Sequence, residues 1–311
     1  MERPERFYSA GIRLAADLHV PDDLAPGERR AGIVLCHGFG AIKAFTLPDL
    51  ARSYVEAGYV VLRFDHRGFG ESGGTRWRLM PLEQVEDIRN AITFLGLQPE
   101  VDADRIGLHG GSFGGANAVY AAALDDRAKC VVATVAVGNG ERWLRSLRPN
   151  WQWILLQRRI RADRDRRVRT GDSEMVSPDE VMPPDPETED RHRETLQAFP
   201  EREFRLSLES AEAVLEYRPE DVADRIAPRP VLFIQVEDDG LVANDISREL
   251  FDRARQPKEL VVLRGMMHHS IAAGAPYRQM MGHALPWFGR HLPARAPVEG
   301  VREPGSEPVR S

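Results

Sequence analysis

Ser112 stands in the run Gly-Gly-Ser-Phe-Gly-Gly (110–115), between the apolar stretch Arg105–Gly110 and an alanine-rich one that ends at Asp126. A chain that turns sharply from strand to helix forces the corner residue into a strained conformation, and only small neighbours tolerate it. Gly110, Gly111, Gly114 and Gly115 supply that smallness. A helix beginning near Phe113 would then aim backbone N–H groups at whatever the serine attacks. The competing reading of this GxSxG spacing is a glycine-rich helix start that packs tightly or binds phosphate. A serine hydroxyl is a weak nucleophile, so the catalytic reading requires a base and a carboxylate that orients it. Both follow in chain order. Val-Glu-Asp-Asp-Gly-Leu-Val (236–242) comes after one apolar run, and Arg-Gly-Met-Met-His-His-Ser (264–270) comes after the next. Glu237, Asp238 and Asp239 compete for the carboxylate role, and His268 and His269 for the base. Taken singly, a loop histidine is usually a surface residue and an acidic pair a helix cap. Their joint placement after consecutive late strands favours a triad.

A tetrahedral intermediate also needs two donors for its oxyanion, one from the residue after the nucleophile and one from a loop after an early strand. The backbone N–H groups of Phe113 and of Phe39, in His-Gly-Phe-Gly-Ala-Ile-Lys (37–43), fill those positions. No metal is expected, because His37, His66, His109, His268 and His269 show neither HxxxH nor HxH spacing. His109 reads as packing at a strand end, and Asp65 and Arg67 as scaffold that pins loops beneath the site.

The elements that must position these residues are β-branched runs alternating with helical patterns, the sign of βαβ units and a mostly parallel sheet. Strands are expected over 31–38, 59–68, 105–110, 129–138, 230–239 and 258–265, each ending in Gly, Asp or His, and ligands of open α/β sheets bind at such ends. Leu82, Val85, Ile88, Ile92 and Leu95 recur at helical spacing, as do Ile246, Leu250 and Phe251 behind a cap at Asn244. Residues 7–21 alternate as an antiparallel edge hairpin. From 139 to 228 no buried strand is expected. That segment carries Trp143, Trp151 and Trp153, an arginine-rich run from Arg158 to Arg169, and an acidic, proline-bearing stretch from Asp179 to Asp190. It reads as an inserted helical cap with a loop, the core being 1–138 and 229–292 and the tail 293–311 disordered. The arginine run is most simply a solvated helix face. The tryptophans, with Ile154 and Leu155, would line an apolar substrate pocket over the active-site mouth; holding the cap to the core or forming a homodimer contact is the competing reading.

The 311 residues, 42% hydrophobic and 29% charged, suffice for one large core with an insertion. A net charge of −6 offers no basic excess, which argues against nucleic acid or an anionic membrane as partner. Cys36 and Cys130 lie in apolar runs and read as buried free thiols of a reducing compartment. The charged start, Met1–Phe7, carries no apolar signal core, so a cytoplasmic location is expected.

With these motifs in place, the chain resembles an α/β-hydrolase over about residues 7–292. It is most similar to the bacterial esterase, acyl-hydrolase and dienelactone-hydrolase-like group, whose members read HGxGG, DxRGFGES, GxSxGG, DxxV and GxxH. The resemblance implies a mostly parallel eight-stranded sheet flanked by helices. It selects Asp239, three residues before Val242, as the carboxylate and His268, three after Gly265, as the base. Departures are Ala41 and Val236 where glycine is common, Ala243 where proline is usual, and Phe39, which lacks the hydroxyl of relatives with a tyrosine there. Dienelactone hydrolases proper use cysteine, and dehalogenases and epoxide hydrolases use aspartate; Ser112 argues against all three. The function expected is hydrolysis of carboxylic esters of a small-molecule substrate without a cofactor. The alternatives are thioester or C–C bond hydrolysis by the same triad, and a non-catalytic binding module of the same fold.

Overall fold

The structure, a computed structural model, describes residues 1–45, 47–186, 188–190, 193 and 205–296. Its centre is an eight-stranded sheet in the order β1-β2-β4-β3-β5-β6-β9-β10. The strands are β1 (Glu2–Ser9), β2 (Ile12–His19), β3 (Arg30–Cys36), β4 (Val60–Phe64), β5 (Val101–Gly111), β6 (Ala128–Thr134), β9 (Val231–Val236) and β10 (Lys258–Leu263). β1 and β2 form the antiparallel edge hairpin, β2 meets β4 antiparallel, and the other pairings are parallel. All six strands expected from the apolar runs are present.

Side chains alternate between two cores because successive Cβ atoms point to opposite faces of a strand. Val34, Leu62, Leu108, Val131 and Phe233 belong to one core, while Ile33, Val61, Val132 and Leu232 belong to the other. Helices α2 (Pro81–Gly96) and α3 (Phe113–Leu124) cover the first face, and α1 (Leu47–Glu56) contributes to the second. With apolar groups on both faces, these strands must read as continuous β-branched runs.

Between β6 and β9 lie α4 (Gly140–Ser146), α5 (Asn150–Thr170), β7 (Met175–Val176), α6 (Pro178–Val181), β8 (Leu206–Ser207) and α7 (Leu208–Leu215). The two-residue ladder of β7 with β8, in which Val176, Leu206 and Ser207 are buried, is a departure from the expectation of no buried strand there. The arginine run is also more than a solvated face. Arg159 pairs with Glu174 at 2.6 Å and Glu180 at 2.5 Å, and Arg167 joins Asp163 at 2.9 Å and also Glu212, so α5 is clamped to the segments that follow it.

After β9 come α8 (Asn244–Arg253) and, following β10, α9 (Gly274–His291), whose Met280, Met281 and Phe288 complete the second core. Asn244 is the first helical residue rather than the cap, and its amide donates to the Glu237 carbonyl at 2.7 Å. Cys36 and Cys130 are buried free thiols. Of the tail expected to be disordered, residues 293–296 are tied down: Ala31 N–H donates to the Ala294 carbonyl at 2.9 Å and Arg295 pairs with Asp23 at 2.7 Å. Residues 297–311 lie outside the described residues. Among the described residues no helix is long and apolar enough to cross a membrane.

Candidate active site

Ser112 is the single residue between β5 and α3, with φ 56° and ψ −123°. Left-handed φ is costly for a side chain other than glycine, and it persists only where the surroundings over-determine it. Here Ser112 N–H donates to the Thr134 carbonyl at 2.8 Å, and its own carbonyl accepts from Gly115 and Ala116 at 3.0 and 3.2 Å. The flanking glycines follow from crowding. A Cβ on Gly110 would run into the Gly114 carbonyl, and one on Gly114 into the carbonyls of Cys36 and His37.

Three strand ends converge on this corner. The loop after β9 carries Asp239, whose Oδ1 accepts from the backbone N–H of Leu241 at 2.9 Å and of Val242 at 2.7 Å. The loop after β10 carries His268, whose Nδ1 lies 2.9 Å from each Asp239 oxygen, both side chains being buried. Ser112 and His268 line one cavity of about 570 Å³, within the usual size of small-molecule sites. The neighbours separate clearly. Asp238 is exposed, and its N–H donates to the Met266 carbonyl at 3.0 Å. Glu237 accepts from Gly265 N–H at 3.0 Å and so fastens the two loops together. His269 stands edge-on to His268, with ring centres 5.0 Å apart, and also lines the cavity.

Phe39 and Phe113 meet edge-to-face at 5.8 Å, bringing the loop after β3 against the start of α3. Phe113 opens α3, so its N–H has no carbonyl inside the helix to bond. Beneath the loop, Asp65 accepts from Lys43 N–H at 2.7 Å and Glu71 N–H at 2.9 Å, and Arg67 bonds the buried Asp87 at 2.6 Å, as a scaffold should. Burial lowers the imidazoles of His37 and His109 to about 3, aided at His37 by the neighbouring His66. Both are therefore neutral. His109 meets the Tyr54 hydroxyl at 2.8 Å at the strand end.

The tryptophans are not where the apolar-pocket reading puts them. Trp143 is 0% exposed, stacked on Phe113 at 5.8 Å, with its indole N–H donating to the Leu241 carbonyl at 3.0 Å. Trp153 is 3% exposed beneath the Arg145 guanidinium, and Trp151 is 61% exposed on the surface of α5. None lines the cavity, and neither does Ile154 or Leu155. Its apolar walls come instead from Phe45, Leu47, Leu50, Met182, Ile271 and Met280.

Residues 27–272 match the model of a family described as serine aminopeptidase, S33. The chain belongs to this family of α/β-hydrolases. The hydrolase is 31% identical over 261 residues to an uncharacterized 31.7 kDa protein of Escherichia coli, covering 84% of this chain and 91% of that one. It is 27% identical over 298 residues to a thiohydrolase of Eupenicillium brefeldianum (92% and 91% covered) and 28% identical over 278 residues to a polyketide transferase of Aspergillus fumigatus (86% and 93%). Among solved structures, a hypothetical protein of Pseudomonas aeruginosa superposes with a TM-score of 0.81 at 25% identity, covering 94% of each chain. The α/β-hydrolase GrgF of a Penicillium species superposes with a TM-score of 0.79 at 23% identity, covering 94% of this chain and 99% of that one.

The residues that sequence reasoning missed are those of the hydrolase's cavity wall. Leu47 and Leu50 are three apart in α1 and so share a helix face, as Tyr277 and Met280 do in α9. That was the available signal.

Proposed function

We propose that the protein is a serine hydrolase that cleaves carboxylic esters through an acyl-enzyme. The observation that carries this reading is the strained Ser112 at a cavity shared with His268, whose Nδ1 is held by Asp239. Bonded to the carboxylate, Nδ1 keeps its proton, which leaves the lone pair of Nε2 to take the proton of the Ser112 hydroxyl. Oγ then bonds to the ester carbon. The oxyanion that forms is stabilised by the N–H groups of Phe39 and Phe113, and collapse expels the alcohol with the proton from His268. Water, deprotonated by the same imidazole, attacks the acyl-serine and releases the acid. Substrates reach this site in a cytoplasmic setting.

Thioester cleavage is the second reading, favoured by the relative whose name is thiohydrolase. A thiolate leaves more readily than an alkoxide, so it depends less on the proton from His268. Labelling with a fluorophosphonate tests the shared mechanism: the wild-type protein should be labelled, and Ser112→Ala should not. Ser112→Ala should also lower kcat by about 10⁴-fold or more. Full ester and thioester hydrolysis by that variant would refute the reading, and absence of labelling in the wild type would favour a binding module. Matched oxygen and sulfur esters of one acid would then rank the two substrates.

A further inference from the structure

Helix α5 has two unlike faces. Trp153, Leu156 and Ile160 are buried against the rest of the protein, and Arg159, Arg164 and Arg167 pair along its flanks with Glu174, Glu180 and Glu212. The outer stripe, at spacings of three and four, carries Trp151, Ile154 and Leu155 at its first end and Arg158, Arg161, Arg166 and Arg169 beyond them. Trp151 is 61% exposed, Leu155 52% and Ile154 40%, and the four arginines are exposed as well. None of these four makes an ion pair among the described residues. The carboxylate of the stripe is Asp165. The net charge of −6, which argues against an anionic surface as partner, therefore conceals one face on which four arginines stand against a single aspartate.

The packing of α5 is done by its inner face, so large apolar side chains left in water beside unpaired arginines mark a surface that meets a partner. Trp151 to Arg169 spans about 27 Å of helix at 1.5 Å per residue. Positive charge along that length selects an anionic partner, and the apolar end selects one with hydrocarbon close to its charges. An anionic bilayer has both: phosphates within reach of guanidinium groups on long stems, and an interface in which indole rings settle. A second copy of this chain fits less well, because pairing the stripe with itself sets one positive surplus against another. The stripe also lies beside the cavity. On either side of the apolar triplet, Arg148 bonds the Val181 carbonyl and Arg159 pairs with Glu180. Those partners belong to the stretch whose Ser177, Pro178, Asp179 and Met182 line the cavity, and Ser177 and Asp179 are exposed there.

We propose that the outer stripe of α5 docks the protein on anionic lipid bilayers, with Trp151, Ile154 and Leu155 entering the interface and Arg158, Arg161, Arg166 and Arg169 meeting lipid phosphates. Docking there brings the apolar-walled cavity to acyl compounds dissolved in lipid, and makes them the substrate class. That consequence rests on Ser112 being the nucleophile; the binding itself does not.

The test is sedimentation of the full chain with vesicles of phosphatidylcholine alone, and of phosphatidylcholine with phosphatidylglycerol at roughly two to one, at low salt and at about 0.5 M salt. Wild type should favour the anionic vesicles by about a hundredfold at low salt, three net charges at about fivefold each, and lose that preference at high salt. Arg158→Gln combined with Arg161→Gln should cost about 25-fold, and Trp151→Ala about tenfold through the lost burial of an indole ring. Both variants should keep the wild-type melting temperature and the wild-type rate on p-nitrophenyl acetate in solution, since none of the three positions lines the cavity. Hydrolysis of a long-chain p-nitrophenyl ester carried in the anionic vesicles should fall in step with their binding. Ser112→Ala should bind as wild type does without hydrolysing that ester; hydrolysis that persists in it overturns the triad reading and leaves the docking standing. Wild type that stays in the supernatant at low salt overturns the docking, as does binding that the arginine and tryptophan variants retain. A wild-type dimer that Trp151→Ala makes monomeric, with no vesicle binding, assigns the stripe to an interface between copies and overturns the proposal. Retention by polyglutamate without vesicle binding does the same in favour of an acidic protein.

Discussion

Replacing Asp239 by asparagine isolates the role of one carboxylate oxygen. Oδ1 receives two backbone N–H groups, from Leu241 and Val242, so the asparagine side chain must place its carbonyl oxygen there. Its amide group then occupies the Oδ2 corner and faces His268 Nδ1, which lies 2.9 Å from that corner in the native protein. Flipping the amide would leave two buried donors unpaired, at roughly 1–3 kcal/mol each, so the orientation is fixed. Of the two contacts that Nδ1 makes at 2.9 Å, the one at the Oδ2 corner now meets an N–H, which favours Nδ1 as acceptor and moves the imidazole proton to Nε2. With no lone pair left at Nε2, His268 cannot take the Ser112 proton. A wrong tautomer of this kind costs a serine triad on the order of 10⁴-fold in kcat, or about 5.4 kcal/mol of transition-state stabilisation. The assay is steady-state hydrolysis of a p-nitrophenyl ester, paired with a thermal melt that should change little because both backbone bonds survive. Asp238→Asn, at an exposed neighbour, should stay within about twofold of wild type. A folded Asp239→Asn protein that loses less than about tenfold, or an Asp238→Asn protein that loses more than it, would refute the argument.

Trp143→Phe keeps an aromatic ring against Phe113 but removes the donor to the Leu241 carbonyl, and should lower unfolding free energy by about 1–3 kcal/mol. Trp151→Ala, at an exposed site, should stay within about 0.5 kcal/mol, both being read from urea unfolding. Stability should also fall with acid. His37 and His109 are held neutral down to about pH 3 in the native protein, whereas an unfolded histidine takes its proton near pH 6.5. Their contribution is fully present above about pH 6.5 and is lost as pH falls from there towards 3, by about 1.4 kcal/mol per pH unit for each once the unfolded side chains are charged. Urea midpoints at pH 7 and 5.5 should therefore differ, and His109→Gln should flatten the difference; an unchanged slope would contradict the burial argument.

The sheet could be read from the chain because strands buried on both faces are written as unbroken β-branched runs, and the end of each run lies where a ligand of such a sheet must sit. That logic reaches Ser112, since the glycines around it are required by the crowding of β5, α3 and the loop after β3. It weakens one residue further into the loops. Choosing Asp239 over Asp238 depends on which carboxylate the N–H groups of Leu241 and Val242 can reach, a property of the turn rather than of residue type. The family pattern supplied the choice that the residues alone left open. The cavity walls were harder still. Phe45, Leu47 and Leu50 come just after the loop that carries Phe39, and Tyr277 and Met280 lie in a late helix, so no single stretch of sequence displays the pocket as a unit.

The tryptophans show why an aromatic patch in an insertion is an ambiguous signal. An indole offers a large apolar body and one N–H, and a buried indole is best placed where that N–H finds an acceptor. For Trp143 the acceptor is the Leu241 carbonyl, distant in sequence, in the loop that holds Asp239. The same ring lies edge-on to Phe39 at 5.6 Å and stacks on Phe113, the residue after Ser112. One side chain from the first helix of the insertion thus braces the loop after β3, the start of the helix that follows Ser112 and the acidic loop from behind. Asn139 and Arg142 add to this attachment by bonding the buried Glu220, and Gly140 is pressed so closely on the Val214 carbonyl that a Cβ would collide with it. The beginning and end of the insertion are therefore part of the foundation of the site. What the middle of the insertion contributes to the cavity itself is the stretch around Ser177, Pro178, Asp179 and Met182, which lines it.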